Sequence, residues 1–308
     1  MLLNFGPQHP AAHGLVRVSL ALEGDVVVRA DPQFGLLHRG SEKLCEGRSL
    51  LQALPYLDRM DYVANLFQEH AFVRAVEQLG GGHRLGGLVA LTRLILDELS
   101  RVLNHLMTLS AICLDLGAMG PIFWAFEERE LIMEFFERLS GARMHTALYR
   151  PFAFGGGGEA WIARALPDAI FLVQRGARFA SGAFLGLVSN RALRARLSGI
   201  GQFSPLKLSN YGVTGVIARS AGLFLDRRLG LGGGGYGGYL QMSLRSFCGR
   251  RGDNYDRFIL RAKELLESLR LVAQGISRHQ EGYSNVPRSK FGSMEALIAH
   301  FHESMGGG

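Results

Sequence analysis

The chain has 308 residues, of which 47% are apolar, so it is long enough to bury one sizeable core and is globular rather than disordered. Its formal net charge of +7 raises the question of an anionic partner, but the basic residues are scattered among carboxylates and no basic block stands out, which argues against nucleic-acid binding. Three widely spaced cysteines without a C-x-x-C pair exclude a zinc knuckle and a disulfide framework.

Two histidines, His9 and His13, stand four residues apart near the N-terminus. On a helix they would share a face as metal ligands, but Pro10 and Gly14 argue against a helix here. In a turn that leads into a strand, both imidazoles could instead face a cleft and exchange protons near neutral pH. A structural role for each histidine remains the alternative. The first residues resemble neither a signal peptide nor a presequence, so we expect the chain to work where it is made or to be mature.

The next residues predict a β-hairpin, because residues 15–22 and 26–30 alternate or are β-branched around a turn-like Glu23-Gly24-Asp25. From about Ser49 onward the spacing becomes helical. We therefore predict an α+β protein, a mostly helical bundle with a small N-terminal β-sheet. It would divide into a β-rich segment at 1–48 and a helical core at 49–305, with glycine-rich loop interruptions.

Helical periodicity places one face at Met60, Val63, Phe67, His70 or Ala71, and Arg74. Further helices are predicted at 88–114, from Pro121 to about Ser140 with Gly141 as the stop, and at 255–275. Four glycine tracts fall where loops are expected, and none has the context of a nucleotide-binding loop.

Residues 109–126 are apolar over about the length of a membrane span, with Asp115 as their only charge before Glu127. Gly117, Gly120 and Pro121 interrupt them, which favours a helix that ends and turns while buried in protein. A lone carboxylate in such surroundings should have a raised pKa unless it is paired, so Asp115 is a candidate site residue. An Asp that caps a helix end or bonds a buried Arg is the alternative.

Several motifs together resemble the 49-kDa subunit family of respiratory complex I, the proton-pumping NADH:quinone oxidoreductase. The resemblance covers nearly the whole chain and weakens between about 150 and 209. The motifs are Asn4 to Gly14, Gly35 to Lys43, Leu54 to Tyr62, Leu103 to Leu106, Leu114 to Met119, Ser140 to His145, Gly252 to Arg257 and Ser293 to Ile298.

The resemblance implies the fold of the nickel-iron hydrogenase large subunit, whose Arg-Gly-x-Glu element is similar to Arg39-Gly40-Ser41-Glu42. The hydrogenase motif that follows holds nickel through cysteines, whereas residues 59–64 contain none. Without a thiolate to bind a soft metal, hydrogen chemistry and a metal site are not expected. The family continues after a stretch similar to Ser293-Met294-Glu295 with a C-terminal part that lines some of the quinone cavity, and we expect this chain to lack that part.

The resemblance also implies the roles of site residues. His13 and Tyr62 would donate hydrogen bonds or protons to the two carbonyl oxygens of ubiquinone, with His9 in the same pocket, and Asp115 would pair with His13. Taken alone, Tyr62 would be a packed surface aromatic. Arg39, Arg59 and His145 would lie toward a 4Fe-4S cluster carried by a partner subunit, where positive charge raises the potential of the cluster.

The implied partners are the cluster-bearing small subunit, a 30-kDa-type subunit and the membrane subunit that forms the quinone channel. We expect membrane association through the complex, without a transmembrane helix, on the matrix side of the mitochondrial inner membrane or on the cytoplasmic face of a bacterial membrane. The resulting hypothesis is an enzyme subunit that is active only within the complex. A non-catalytic scaffold of the same arm and a hydrogenase-like enzyme are the alternatives.

Overall fold

The computed structural model describes residues 1–8, 16–80, 87–151, 153–154, 158–229, 238–239 and 242–284. Within these ranges the predicted α+β class is confirmed, since long helices dominate and a small antiparallel sheet lies at the N-terminus. The similarity to the hydrogenase fold and the division at residue 48 stay predictions.

The N-terminal sheet has three strands in the order β1-β2-β3: β1 (Leu2–Phe5), β2 (Arg17–Glu23) and β3 (Val26–Gln33). The predicted hairpin is confirmed as β2 and β3, which pair antiparallel with an irregularity between Ala21 and Leu22. β1 adds to the other edge of β2, with Phe5 opposite Val18. Every residue of β3 is exposed, so this strand contributes nothing to the core of the chain.

The helices are given in chain order, together with a second, two-stranded sheet made of β4 and β5. They are α1 (Ser41–Glu46), α2 (Leu50–Asp58), α3 (Asn65–Leu79), α4 (Gly87–Asp115), α5 (Gly120–Ser140), β4 (Tyr149–Arg150), β5 (Ala153–Phe154), α6 (Gly158–Phe179), a π-helical turn (Ala180–Phe184), α7 (Leu185–Val188), α8 (Arg191–Leu197), α9 (Pro205–Asn210), α10 (Gly215–Ser220) and α11 (Asn254–Ser284).

Helix α4 is the centre of the core, because it packs against α11, α5 and α3. Its apolar stripe includes Ile95 and Leu99, which are fully buried. Burying a side chain of this kind contributes about 1.5–3 kcal/mol. Where α4 crosses α11, a Cβ built on Gly275 would lie 2.8 Å from Cγ1 of Ile95, so the close approach of the two helices depends on glycine.

Most predicted helix boundaries agree with the structure. Helix α5 begins with Pro121 in its first turn and ends at Gly141, whose φ of 81° is the left-handed conformation that favours glycine. The predicted helix at 255–275 is present but extends past Gly275 as α11. The predicted continuous face from Met60 to Arg74 is wrong at its start, since Met60 and Val63 lie in the turn that precedes α3.

Candidate active site

Tyr62 lies in the turn between α2 and α3, half-buried at a pocket of about 220 Å³. The pocket is lined by Met60, Asp61, Tyr62 and Val63 from the turn and by Asn104 and Thr108 from α4. Met60 and Val63 offer apolar contact, while the others offer hydrogen-bond donors and acceptors. The turn therefore presents the Tyr62 ring to a small mixed cavity on the side of α4, not to a neighbouring helix surface.

Asp115 is the last residue of α4 and is exposed in this chain. The expectation that the chain itself buries this carboxylate is wrong, because α4 ends here and the backbone turns away through Gly117, whose φ is 88°. Helix geometry places Asp115 on the same face as Thr108, two turns or about 10 Å further along the axis. Asp115 and the Tyr62 pocket thus share one side of α4.

His9 and His13 lie outside the described residues, so the predicted pairing of His13 with Asp115 stays a prediction. The strands on either side of the segment that contains His9 and His13 belong to the N-terminal sheet. Phe5 and Val18 are directly opposed where β1 ends and β2 begins.

Arg39, Arg59 and His145, which come from three separate parts of the sequence, lie together. Nη2 of Arg39 donates to the carbonyl of Arg59 at 3.4 Å, and Nη1 of Arg59 donates to the carbonyl of Pro55 at 2.9 Å. Among the described residues neither guanidinium forms an ion pair, and both side chains are exposed. Two positive charges without an ion-pair partner therefore lie at the surface beside a histidine.

Burial and then the charge of Arg59 lower the pKa of His145, and Arg39 lowers it further. The charge of Asp58 and a hydrogen bond to its backbone oppose this shift. Nδ1 of His145 is buried and has no hydrogen-bond partner among the described residues. His145 is consequently neutral at pH 7 in this chain, and a new negative charge nearby would favour its protonation.

Two buried acids hold the segment that carries His145. Glu69 accepts from the Thr146 hydroxyl at 3.0 Å and from the Tyr149 backbone N–H at 3.0 Å, while Asp58 accepts from the Ala147 N–H at 3.3 Å. Ala147 has a φ of 42°, a left-handed conformation that costs a non-glycine residue on the order of 1 kcal/mol or more. The bonds to Asp58 and Glu69 hold this strained backbone in place.

The buried network continues from Tyr149 into α4. The Tyr149 hydroxyl donates to Asp97 at 2.9 Å, and Nδ1 of His70 lies 2.5 Å from the other oxygen of Asp97. The sequence motifs include Asp58 without assigning it a role, and they do not single out Glu69, Asp97 or Tyr149. Helical spacing places Glu69 and Asp97 on helices, but only packing shows that both are fully buried.

In the part of the chain that the structure describes, no group of three or more His, Cys, Asp or Glu side chains is arranged to hold a metal ion. None of the helices described is both long and apolar enough to cross a membrane.

Comparison with known proteins identifies the family. Residues 115–307 match the sequence profile of the family Respiratory-chain NADH dehydrogenase, 49 Kd subunit. The chain belongs to this family. Among its relatives, the NADH-ubiquinone oxidoreductase 49 kDa subunit of Paramecium tetraurelia is 40% identical over 97% of this chain and 78% of the relative.

Two further members show how widely the family is spread. The NADH-ubiquinone oxidoreductase 49 kDa subunit of Reclinomonas americana is 43% identical over 97% of this chain and 76% of the relative. An NADH-quinone oxidoreductase subunit of Wolbachia pipientis subsp. Culex pipiens (strain wPip) is 42% identical over 98% of this chain and 78% of the relative. Eukaryotic and bacterial members of the 49 kDa family thus match this chain equally well.

Proposed function

We propose that this chain forms the quinone-reduction site of NADH:quinone oxidoreductase, between the Tyr62 pocket and the cluster-facing group Arg39, Arg59 and His145. Membership of the 49 kDa family makes it a subunit of this oxidoreductase, so it acts within the complex. The observation that supports the site most directly is the position of Tyr62 at an open pocket, instead of being packed as a surface aromatic.

Reduction of a quinone places negative charge on two carbonyl oxygens, which hydrogen-bond donors stabilise. The Tyr62 hydroxyl can donate to one oxygen, and the resemblance assigns the other to His13, with His9 in the same pocket. Asp115, on the same side of α4, would pair with His13, and its negative charge would favour the return of a proton to His13 from solvent between turnovers. Met60 and Val63 line the same pocket and would supply apolar contact to the ring of the head group.

The electrons would come from the 4Fe-4S cluster that, by the resemblance, a partner small subunit carries. Arg39 and Arg59 fit a place beside it, because their charges have no carboxylate partner among the described residues. Positive charge there stabilises the reduced cluster and raises its potential. His145, neutral when the cluster is oxidised, takes up a proton when the negative charge arrives.

The remaining parts of the proposal concern assembly. A 30-kDa-type subunit and the membrane subunit of the quinone channel would complete the surroundings, and the chain would meet the membrane through them. The site then lies on the matrix side of the mitochondrial inner membrane, or on the cytoplasmic face in a bacterium.

Replacing Tyr62 with Phe tests the site, because it removes the hydroxyl and keeps the ring. We expect quinone reduction by the purified complex to fall by about 100-fold or more, the usual contribution of a positioned proton donor. Oxidation of NADH with a water-soluble acceptor that takes electrons before the quinone should not change. Tyr211→Phe is the matched control, since Tyr211 is exposed on the surface. Full quinone reduction by Tyr62→Phe would favour the scaffold role instead.

A further inference from the structure

Two acidic side chains, Asp58 at the end of α2 and Glu69 in α3, lie fully buried beneath the His145 segment. The proposed function gives neither of them a role. Both acids bond the same short segment, Asp58 through Ala147 and Glu69 through Thr146 and Tyr149, which brings the two carboxyl groups close enough to interact. An ionised carboxylate only accepts, so the two groups can hydrogen-bond to each other only if one of them carries a proton.

The hydrogen bonds to the two carboxyl groups come from neutral donors, and in the part of the chain that the structure describes no guanidinium donates to either of them. Their donors are the neutral Thr146 hydroxyl and the N–H groups of Ala147 and Tyr149. Oδ1 of Asp58 is buried and has no N–H or O–H donor among the described residues. Arg150 is near Glu69, but its guanidinium donates to the carbonyls of Ala147 and Tyr149. A second uncompensated charge in such a site costs several kcal/mol and is avoided by protonation.

We infer that Asp58 and Glu69 share one proton as a buried acid pair, and that this pair is the negative group that opposes Arg39 and Arg59 in setting the protonation of His145. The second half of this inference rests on the proposed role of His145. Both acids act as positioning residues, because they hold the segment that carries the histidine and face it with charge. The other charged or titratable groups around them are Arg39 and Arg59 beside His145, Tyr149 and Arg150 in the segment, and Arg93 and Asp97 of α4 behind Tyr149.

The pair should carry one negative charge over most of the pH range. Burial, with the hydrogen bond and charge of Asp58, raises the pKa of Glu69 to about 9, although bonds from Tyr149 and Thr146 oppose the shift. The second proton is therefore lost only above about pH 9, as a property of the pair. Glu69→Gln leaves the carboxyl group of Asp58 in place beside the His145 segment, whereas Asp58→Asn removes it. The two substitutions should consequently have unequal effects on His145.

Infrared difference spectra of the purified complex test the shared proton without any redox reaction. The wild-type minus Glu69→Gln spectrum at neutral pH should contain the C=O stretch of a protonated carboxylic acid, and this band should fade above about pH 9. Glu130→Gln is the control, since Glu130 forms an ion pair with Arg143 that is exposed to solvent. If no such band is lost in Glu69→Gln, both acids are ionised and the inference is overturned.

The link to His145 is tested by the midpoint potential of the partner's cluster as a function of pH. In Asp58→Asn, the pH dependence of the midpoint potential should set in at a lower pH than in the wild type. In Glu69→Gln, it should set in at the same pH as in the wild type. Equal shifts in the two variants, or none, would overturn the link. If His145→Met leaves the pH dependence intact, the proposed role of His145 fails, yet the infrared band still decides whether the pair shares a proton.

Discussion

A buried arginine in α10 depends on one carboxylate in α11. Nε and Nη2 of Arg219 donate to Oε1 of Glu264 at 3.1 and 2.5 Å, and Nε2 of His105 lies 3.2 Å from Oε2. Burial opposes the ionisation of Glu264, but the nearby His105 and the charge of Arg219 outweigh it and lower the pKa to about 2. Each of these three side chains is almost completely buried.

Substituting Glu264 with Gln should loosen α10, because Arg219 would stay buried without its counter-charge. Breaking a buried pair in this way costs about 3–5 kcal/mol. Hydrogen exchange of residues 215–229 in the purified complex, corrected for intrinsic exchange rates, measures this loss. Glu134→Gln is the matched control, since Glu134 pairs with Arg138 in solvent, where water screens the interaction.

The pH dependence of the same exchange follows from the lowered pKa of Glu264. A carboxyl whose pKa falls on folding contributes stability that is present above its unfolded pKa of 4.5 and is lost as the pH falls toward 2. The wild type should therefore lose protection in α10 over this acidic range, while Glu264→Gln should show no loss there. If Glu264→Gln is as well protected in α10 as the wild type at neutral pH, Arg219 has found another partner and the prediction is wrong.

For single residues, the sequence motifs show which side chains matter but not what surrounds them in the fold. Tyr62, Arg59 and His145 stand in recognisable motifs, and the structure places Tyr62 at a pocket and Arg59 beside His145. The apolar neighbours of Asp115 in sequence predict its burial, yet the helix ends there and exposes it. The burial of Glu69 depends on residues about 80 positions away, which periodicity cannot show.

Among the elements, the crossing of α4 and α11 sets the spacing of the core, and Gly275 permits it. Gly275→Ala would place a methyl group 2.8 Å from Ile95 Cγ1, which is itself fully buried. Overpacking of this kind costs about 1–3 kcal/mol, so thermal unfolding of the purified complex should begin at a lower temperature. Gly186→Ala in α7 is the control, because nothing lies within 4 Å of the new Cβ. If both variants begin to unfold at the same temperature, α4 and α11 can move apart without a loss of stability.

Local sequence signals predict helices and strands well where tertiary packing does not compete with them. Pro121 and Gly141 mark the ends of α5, and alternation marks β2 and β3. The prediction that a helix ends at Gly275 is wrong, since this glycine lies inside α11 and its lack of a side chain serves packing against α4. The spacing of Met60 and Val63 fits a helix, yet the chain turns there and places Tyr62 at its pocket.

At the scale of the whole molecule, several large apolar side chains are exposed among the described residues. Phe123 and Trp124 near the start of α5 are 68% and 55% exposed, and Val26 in the uncovered strand β3 is 67% exposed. Neighbouring exposed apolar side chains, such as Phe123 and Trp124, are typical of surfaces that other proteins cover. They agree with membership of a family whose members are subunits of a larger oxidoreductase.

Because those surfaces need partners, the chain should be found in a large assembly and not as a free monomer. Detergent-solubilised membranes separated on a native gel, stained for NADH oxidation and analysed by mass spectrometry, should place it in the active high-mass band. Extraction with a harsher detergent that separates subunits should remove it from that band, which controls for chance co-migration. If the chain is instead recovered from mildly treated membranes as a small, monodisperse species, the apolar surfaces at Phe123, Trp124 and β3 do not need a partner to cover them. Quinone reduction would then have to be sought elsewhere, because the Tyr62 pocket and the Arg39, Arg59 and His145 group have no electron source without the complex.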